Sequence, residues 1–469
     1  MSHRPREAAR LDDIDPGLRR RGRALPEAGV ACDAGYPAAI PVTALRPTAR
    51  PLPVRTRAAV AVGAAVGGLS RRLGRGGGSV IGGRALLALE PDALTRLSAG
   101  RHSALVSGTN GKTTTTSLLR EAVGTTGPVV TNVQGANLPA GLAAAVASGE
   151  PGAAAVLEVD EAWLGMVADA IRPAVVVLLN LSRDQLDRNN EVRSLAESWR
   201  RTLAALPDTT VVANADDPLV VWGAGAAPRT VWVGAGQPWT ADASGCPACG
   251  GHVAFAGTAL PAGTGWACTS CGLGRPALDV RIDGDRVIAT DGTATTLRLA
   301  LPGRANRANA AMALTAARLL GADPEDAARA MAGTAEVAGR YRMVAVDGAE
   351  VRLLLAKNPA GWLEVLDVLR PAPTPAVVAI NARVADGRDP SWLWDVPFER
   401  LAPRVVLATG ERGRDLAVRL RYADVEHRWY PDPLAAVRAA ARIARAEADG
   451  SVDVVANYTS FQSLRARLR

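Results

Sequence analysis

A glycine-rich loop between an apolar strand and a helix constrains the fold of this chain more than any other feature. The loop spans residues 107–114, reads Ser-Gly-Thr-Asn-Gly-Lys-Thr-Thr, and follows an apolar strand that begins at Ser103. Glycines let the backbone curl so that its N–H groups face phosphate oxygens, and the next helix adds partial positive charge at its N-terminus. Lys112 can then reach the outer phosphates of ATP, and the Thr113 hydroxyl can bind Mg²⁺. The residues predicted to bind the nucleotide are Gly108, Thr109, Asn110, Gly111, Lys112, Thr113 and Thr114.

The lysine content supports this interpretation, although the loop departs from the strict phosphate-binding spacing. Val106 stands where the first glycine of that motif is usual. Lys112 and Lys357 are the only lysines in the chain, and the other side chains of the Lys+Arg class are all arginine. A planar guanidinium does not replace an ammonium group at every site, so both lysines are candidates for functional positions.

Strands and helices alternate along most of the chain. Helices are expected before residue 100 and at 308–320. In a first block of the chain, apolar strands are expected near 129–131, 153–159, 174–179 and 210–213. In a second block, they are expected near 351–355, 376–380, 404–408 and 452–456. Such alternation is typical of a parallel sheet with helices on both faces. The sequence therefore predicts an α/β fold, with a central ATP-binding domain at 56–338 and a smaller Rossmann-like α/β domain at 339–469.

The first 55 residues are rich in arginine, proline and alanine and have no helical or strand period. They are interpreted as disordered or as an upstream extension of the reading frame. The formal net charge is +8, but no arginine–aromatic interleaving predicts a nucleic-acid surface. The apolar run Ala58–Leu69 is shorter than the roughly 18 residues of a membrane span. We expect a helix there that packs on the protein or rests at a membrane surface, in a chain that is cytoplasmic or at the inner face of the membrane.

Carboxylates end an apolar strand of the first block. Glu158, Asp160 and Glu161 lie there, at the edge where parallel sheets gather their ligands. A carboxylate at this edge suits Mg²⁺ on ATP, so Glu158 is predicted to be a magnesium ligand and a catalytic residue. The alternative is a solvated strand end. Residues 180–187 follow the next strand at a binding edge, and residues 214–218 form either a loop near the substrate or a simple turn.

Four cysteines form two Cys-x-x-Cys pairs with 18 residues between the pairs. The pairs are Cys246 with Cys249 and Cys268 with Cys271, in an insert at about 240–275. This spacing is typical of a zinc ribbon, in which four thiolates enclose a structural Zn²⁺. Two disulfides are the alternative, but disulfides are rare in cytosolic enzymes. The remaining cysteine and the four histidines stand in no nucleophile motif, so we expect no Cys–His glutaminase within this chain.

These motifs together resemble the Mur ligase family, whose members join amino acids to cell-wall precursors through acyl phosphates. The family's nucleotide loop reads Gly-Thr-x-Gly-Lys-Thr, as at 108–113, and its adenine-side helix resembles residues 303–306 with Asn309. Its inter-domain arginine resembles Arg340. The resemblance implies a Mur ligase-like fold in which Asn306 and Arg340 bind ATP beside the loop.

The closer resemblance is to a divergent branch of that family, the MurT ligase-like subunits of lipid II isoglutaminyl synthases. That branch has a zinc ribbon inserted in its central domain, as here. It also carries Ala-Lys-Asn-Pro-Ala-Gly, found at 356–361, Ala-Asp-Gly-Arg-Asp-x-Ser-Trp, found at 385–392, and Asn-Tyr-Thr-Ser, found at 457–460. The resemblance spans residues 56–469.

The chain also departs from ordinary Mur ligases. No lysine lies between Lys112 and Lys357, so the carbamylated lysine that holds a second Mg²⁺ in those enzymes has no counterpart. Gln185 stands where they often have histidine. Their N-terminal UDP-binding domain is missing, which favours a lipid-linked muropeptide over a UDP-linked substrate.

The resemblance to this branch implies an ATP-dependent carbon–nitrogen ligase. The γ-phosphoryl group moves to the α-carboxylate of D-isoglutamate in the stem peptide of lipid II, and ammonia displaces it to leave an amide. Lys112 and Mg²⁺ stabilise charge on the phosphates. The ammonia comes from a GatD-type glutaminase subunit in a heterodimer, and Asp389 completes that partner's Cys–His pair across the interface. Asp386 and Asp395 are alternatives, as is a loop-capping role for Asp389.

Two other functions are weighed against this one. An amino-acid ligase, similar to ordinary Mur ligases or folylpolyglutamate synthetases, would turn over ATP with a free amino acid and no glutaminase. A nucleotide-gated zinc-ribbon module would show no acyl-phosphate-dependent ATP turnover. The missing N-terminal domain and the zinc ribbon disfavour the amino-acid ligase. The C-terminal α/β domain with Lys357 disfavours the nucleotide-gated module.

Overall fold

The computed structural model describes residues 51–74, 77–132, 135–183, 192–256, 265–334, 341–447 and 449–468. These ranges contain a 9-stranded sheet, a 6-stranded sheet and a 2-stranded ribbon. Residues 1–50, Gln185 and Arg340 lie outside the described residues. Among the helices of the described part, none is long and apolar enough to cross a membrane.

Three helices precede the first strand: α1 (Val54–Arg72), α2 (Ser79–Leu89) and α3 (Ala93–Ser98). The first two approach closely because glycines face each other, and a Cβ atom on Gly63 would lie 2.8 Å from the carbonyl oxygen of Gly82. The Thr56 hydroxyl also donates a hydrogen bond of 2.9 Å to the buried Glu90 carboxylate. The apolar run predicted at 58–69 is therefore a helix with one face packed on the protein.

The first block forms the 9-stranded sheet. Its strands, with those of the ribbon (β7 and β8), are β1 (Ser103–Ser107), β2 (Val129–Val130), β3 (Ala154–Glu158), β4 (Val175–Leu178), β5 (Thr210–Asn214), β6 (Thr230–Gly234), β7 (Val253–Phe255), β8 (Trp266–Cys268), β9 (Val280–Asp283), β10 (Arg286–Ala289) and β11 (Ala294–Thr296). The order across the sheet is β11-β10-β9-β6-β5-β4-β1-β3-β2. In this order, every neighbouring pair between β9 and β2 is parallel, which confirms the predicted parallel sheet. Strands β10 and β11 add an antiparallel edge.

Helices cover both faces of this sheet, which is why its central strands are continuous apolar runs. They are α4 (Lys112–Gly124), α5 (Pro139–Ser148), α6 (Leu164–Ile171), α7 (Val192–Ala204), α8 (Pro218–Ala224), α9 (Arg304–Leu319) and α10 (Pro324–Ala332). Leu142 of α5 and Trp199 of α7 are buried in one core. Leu118 of α4 and Met312 of α9 are buried in the other. The helix predicted at 308–320 is α9, which begins four residues earlier.

The second block forms the 6-stranded sheet, in the order β12-β13-β17-β14-β15-β16. Its elements are β12 (Tyr341–Val346), β13 (Ala349–Leu355), α11 (Pro359–Leu366), β14 (Ala376–Ala379), β15 (Val406–Thr409), α12 (Gly413–Tyr422), β16 (His427–Trp429), α13 (Pro433–Glu447), β17 (Ser451–Ala456) and α14 (Tyr458–Arg467). β12 is antiparallel to β13, and the other pairs are parallel. Helices α13 and α14 pack on one face and α11 and α12 on the other, so the strands predicted for this block lie in a sheet that is covered on both faces.

Candidate functional site

The glycine-rich loop lies at the carboxyl end of β1 and leads into α4. Gly108 and Gly111 have φ angles of 143° and 83°, which L side chains rarely adopt. The neighbouring strand end holds the loop in place. The Thr109 N–H donates to the carbonyl oxygen of Asn180 at 2.9 Å, and the Asn110 N–H donates to the side-chain oxygen of Asn180 at 2.9 Å. These two hydrogen bonds therefore tie the loop to the end of the neighbouring strand.

Lys112 is buried at the start of α4, with 4% of its surface exposed. Its Nζ lies 2.7 Å from Oε2 of Glu161, and it also donates hydrogen bonds to two carbonyl oxygens of the loop. Asp160 lies beside this ion pair. Burial raises the pKa of the Asp160 carboxyl, and the charge of Glu161 raises it further, while the charges of Lys112 and Lys357 lower it. The site thus brings both lysines of the chain close to carboxylates at the end of β3.

Glu158 is the last residue of β3, paired with Val106 of β1. Its backbone N–H donates to Oδ1 of Asn132 at 2.9 Å, and its carbonyl oxygen accepts from Nδ2 of the same residue at 3.0 Å. Its buried carboxylate accepts a hydrogen bond of 3.4 Å from Nδ2 of Asn137. Glu158 therefore lies at the strand end that the sequence indicates. The two asparagines that position it carry no local sequence signal and were not predicted.

A cleft extends from the loop to α9. Gly111 and Thr114 on one side, and Asn306 and Asn309 on the other, line a cavity of about 100 Å³. The approach is close, because a Cβ atom on Gly111 would lie 2.6 Å from Oδ1 of Asn309. Asn306 donates a hydrogen bond of 2.6 Å to the carbonyl oxygen of Pro302. The structure thus brings the predicted loop and the predicted adenine-side residue Asn306 to one cavity.

The second block closes this cleft from the opposite side. Asn358, at the N-terminus of α11, accepts a hydrogen bond of 3.2 Å from the side chain of Asn110. Arg304 of α9 and Asp367, just after α11, lie 3.6 Å apart. The loop, α9 and the 356–361 motif therefore meet at one site between the two sheets.

Residues Asn214–Asp217 form a structural turn beside the cleft. The Asn214 side chain donates hydrogen bonds of 3.0 and 3.1 Å to two backbone carbonyl oxygens. Asp216 forms an ion pair of 2.6 Å with Arg275 of the insert. Asp217 is fully buried and caps α8 by accepting hydrogen bonds from the first turn of that helix, and burial raises its pKa to about 6. Asn214 also lines a cavity with Arg304 and Asn309, so both alternatives for this segment stay open.

The four cysteines of the insert converge at the ribbon. Their sulfur atoms lie within 4.8 Å of one another, and the pairs Cys246–Cys271 and Cys249–Cys268 are each 3.6 Å apart. Zn–S bonds of about 2.3 Å in a tetrahedron require sulfur atoms roughly 3.8 Å apart, whereas a disulfide requires about 2.05 Å. The described residues therefore contain a cysteine cluster whose geometry fits one tetrahedral metal ion.

The insert is anchored on the first sheet, and its backbone stabilises the thiolate form of one of the four cysteines. The buried Trp266 ring donates a hydrogen bond of 3.0 Å to the carbonyl oxygen of Ala215. The Ser270 N–H donates to the sulfur of Cys268 at 3.3 Å and lowers the pKa of that thiol to about 6. Because thiolates are the metal-binding form, this contact suits a metal ligand.

The three candidate aspartates of the second block differ in their surroundings. Asp386 is buried and accepts hydrogen bonds from the backbone N–H and the hydroxyl of Thr459, which is a structural role. Asp395 lies 3.8 Å from an arginine of the first block. Asp389 is exposed, and its Oδ1 accepts a hydrogen bond of 2.8 Å from the Ser391 N–H. Asp389 and Asp395 are therefore the two exposed candidates, and the Ser391 contact is the one that the loop-capping alternative for Asp389 predicts.

Two family models match the chain on either side of this site. The Mur ligase middle domain matches residues 106–243, which include the glycine-rich loop and Glu158. The MurT ligase C-terminal domain matches residues 355–461, which include Lys357 and Asp389.

The chain is also similar to individual proteins over most of its length. The MurT subunit of lipid II isoglutaminyl synthase (glutamine-hydrolyzing) from Streptococcus pneumoniae is 32% identical over 377 residues, which cover 75% of this chain and 83% of the relative. The subunit of the same name from Staphylococcus aureus is 29% identical over 339 residues, which cover 68% and 77%. Among solved structures, a pseudomurein peptide ligase type C from Methanothermus fervidus has a TM-score of 0.60 at 19% identity, with 79% of each chain covered. That last likeness bears on the fold alone.

Proposed function

Because this chain belongs to the MurT family of Mur ligases, we propose that it amidates the α-carboxylate of D-isoglutamate in the stem peptide of lipid II, a step of peptidoglycan synthesis. ATP activates the carboxylate as an acyl phosphate, and ammonia converts this intermediate to the amide. The observation that carries the proposal is a glycine-rich loop, with Lys112, that is held by hydrogen bonds at a cleft between two sheets. Each sheet lies largely in a region matched by its own family model. The proposed domains are residues 56–338 and 339–469.

ATP binds in the cleft between the loop and α9. The N–H groups of the loop and the N-terminus of α4 face the phosphates, and Asn306 lies on the adenine side, with Arg340 proposed beside it. The ammonium group of Lys112 is buried and is oriented by Glu161. Phosphate oxygens then replace Glu161 as its partner, so that a fixed positive charge meets the charge that develops on the transferred group.

The reaction proceeds in two displacements. A carboxylate oxygen of D-isoglutamate attacks the γ-phosphorus, the bond from that phosphorus to the bridging oxygen breaks, and ADP leaves. Ammonia then attacks the acyl carbon, loses a proton, and phosphate leaves. Lys357, whose charge acts on Asp160 beside the loop, contributes a second positive charge from the other side of the cleft.

Two metal ions are proposed. Bound Mg²⁺ would neutralise charge on the phosphate oxygens, and the hydroxyl of Thr113 and the carboxylate of Glu158 offer the hard oxygen ligands that it prefers. Glu158 ends β3, Thr113 lies in the first turn of α4 after the adjacent strand β1, and Asn137 orients Glu158. A structural Zn²⁺ is assigned to Cys246, Cys249, Cys268 and Cys271 because their sulfur spacing fits a tetrahedral site.

The ammonia is supplied by a second protein, a GatD-type glutaminase subunit. The exposed Asp389 carboxylate orients the histidine of that partner and supports its charged form, as a triad aspartate does. Asp386 is engaged by Thr459, so Asp389 is the first choice and the exposed Asp395 is the second. Because lipid II is anchored in the membrane, the complex works in the cytoplasm at the inner membrane face.

One set of assays tests this division of labour. The purified chain, with and without the glutaminase, receives ATP, lipid II and either glutamine or ammonium chloride, and mass spectrometry measures the amide. Glutamine should serve only the complex, while ammonium at high concentration should serve both preparations. ATP turnover with a free amino acid and no amidation of lipid II would favour an amino-acid ligase instead.

Asp389→Asn separates the roles of the carboxylate. The substitution removes charge but keeps shape, so glutamine-driven amidation should fall sharply while ammonia-driven amidation and complex formation persist. Asp415→Asn, at another exposed aspartate of the same block, is the matched control. Unimpaired glutamine hydrolysis by the Asp389→Asn complex would show that the wrong carboxylate is assigned, and Asp395 would be tested next.

A further inference from the structure

The outward face of α1 is apolar, which is unusual for a surface helix. Val54, Val62, Leu69 and Leu73 are 72%, 43%, 59% and 60% exposed. With two exposed alanines between them, they follow one another at intervals of three or four residues along α1 and its C-cap. Residues at this spacing lie on one side of a helix, so they form a continuous stripe. We call these six positions the α1 stripe: Val54, Ala58, Val62, Ala65, Leu69 and Leu73.

The α1 stripe is exposed because small residues fill the opposite face of the helix. That inner face consists of Thr56, Ala59, Gly63, Gly67 and Ser70, all buried. The glycines let α1 lie directly on the backbone of α2, where a Cβ atom on Gly67 would come within 2.8 Å of the carbonyl oxygen of Gly78. The larger apolar side chains of α1 therefore have no place in this packing and point away from it.

The charge along α1 and α2 has a single sign. Residues 51–89 contain six arginines and no acidic residue. Arg57, Arg71 and Arg72 are exposed on α1, and Arg84 is exposed on α2. An exposed apolar stripe with a purely basic border is the pattern of a helix that lies in the interface of an anionic membrane.

Charge also argues against two other occupants of the stripe. A twofold dimer would place the same basic border against itself across the interface. Residues 1–50 carry nine arginines against six acidic residues, so that segment is basic as well. Neither offers the negative charge that an anionic bilayer offers.

We infer that the α1 stripe docks this chain on the surface of an anionic lipid bilayer, with its apolar side chains among the acyl chains and its arginines at the headgroups. The inference rests on the proposed function in one respect, because a lipid-linked substrate is reached from the membrane surface. The position fits that use: α2 packs on α5, and α5 begins two residues after Asn137, which contacts Glu158.

Vesicle co-sedimentation of the full chain, alone and in complex with the glutaminase, tests the inference. Vesicles of phosphatidylcholine with phosphatidylglycerol should bind the protein, those of phosphatidylcholine alone should bind it poorly, and added salt should weaken binding. Leu69→Asp should weaken binding by about tenfold or more, since a leucine that enters the acyl chains of the bilayer is replaced by a charge. Arg71→Gln with Arg72→Gln should weaken it by about 25-fold, or about fivefold for each arginine near the surface. Val418→Asp on α12, at a residue that is 52% exposed, is the matched control and should bind as the wild type does.

Amidation of a water-soluble, short-chain lipid II analogue separates this inference from the proposed function. The Leu69→Asp variant should amidate that analogue at the wild-type rate and unfold at the wild-type thermal midpoint. Its rate should fall only on lipid II in vesicles. Wild-type protein that amidates the analogue but binds no vesicle would overturn the inference and leave the function standing. Vesicle binding without amidation of either substrate would support the docking surface and contradict the proposed amidation of lipid II. A concentration-dependent dimer that Leu69→Asp dissociates, without vesicle binding, would assign the stripe to a second copy.

Discussion

Replacing Lys112 by alanine tests whether this lysine acts on phosphates or only holds the loop. Its Nζ lies 2.7 Å from Glu161, and the two side chains are 6% and 13% exposed. Lys112→Ala should lower turnover by about two to three orders of magnitude, the scale for loss of one main electrostatic stabiliser. It also leaves the Glu161 carboxylate without its partner. The free energy of unfolding should therefore fall by about 3 kcal/mol, the lower end for a buried pair broken on one side, because Glu161 retains some solvent contact.

The double variant Lys112→Ala/Glu161→Gln separates the two effects. With no uncompensated carboxylate, most of the lost stability should return, but the activity should not. Urea unfolding measures the stability, and lipid II-dependent ADP release with saturating ammonium measures kcat/KM. Glu161→Gln alone should keep most of the activity, since Glu161 holds the lysine only until phosphates bind. A double variant that regains activity together with stability would show that Lys112 is structural and that its phosphate role is wrong.

Further predictions concern the metal cluster, a buried carboxyl and the loop. Cys249→Ser should reduce zinc content in elemental analysis and loosen the insert, because metal binding contributes folding energy; a zinc-free preparation of full stability would contradict this. Burial raises the pKa of Asp217 to about 6 from 3.8. The stability that its protonated form contributes to the fold is therefore fully present below pH ~4 and is lost as pH rises through ~6. The unfolding free energy of the wild type relative to Asp217→Asn should thus fall by up to about 3 kcal/mol from pH 4 to 7 in urea titrations, and a flat difference would refute the shift. Gly111→Ala should weaken ATP binding by about tenfold or more in calorimetry, because φ is positive there and Asn309 is in the way; unchanged affinity would mean that the loop is not at the nucleotide.

The parts of the site that the sequence predicts are motifs whose residues lie close together in the sequence. The loop follows β1 directly, Glu158 ends an apolar strand, and each cysteine pair has a local spacing. Local spacing fixes local geometry, so these predictions need no knowledge of the tertiary structure. The same holds for β1 to β5 of the parallel sheet, whose apolar runs reflect burial on both faces, whereas the less buried strands β6 and β9 were not predicted.

The parts that the sequence does not predict depend on packing between distant segments. Asn110 and Asn358 are 248 residues apart in sequence and share a hydrogen bond. The contact of Lys112 with Glu161 rather than with Glu158 depends on how the chain turns after β3. The short strands β10 and β11, near one edge of the first sheet, were also not predicted, because they are partly exposed strands of three or four residues, too short for a clear alternating pattern.

Hydroxylamine trapping tests the central claim, that this chain activates a carboxylate of lipid II with ATP, most directly. The purified chain, without the glutaminase or ammonia, is incubated with ATP, Mg²⁺, lipid II and hydroxylamine, and the products are resolved by mass spectrometry. An acyl phosphate predicts a hydroxamate at the α-carboxylate of D-isoglutamate, formed in equal amount to ADP and absent with Lys112→Ala. ATP turnover that does not depend on lipid II, or ADP formed without the hydroxamate, would contradict the account.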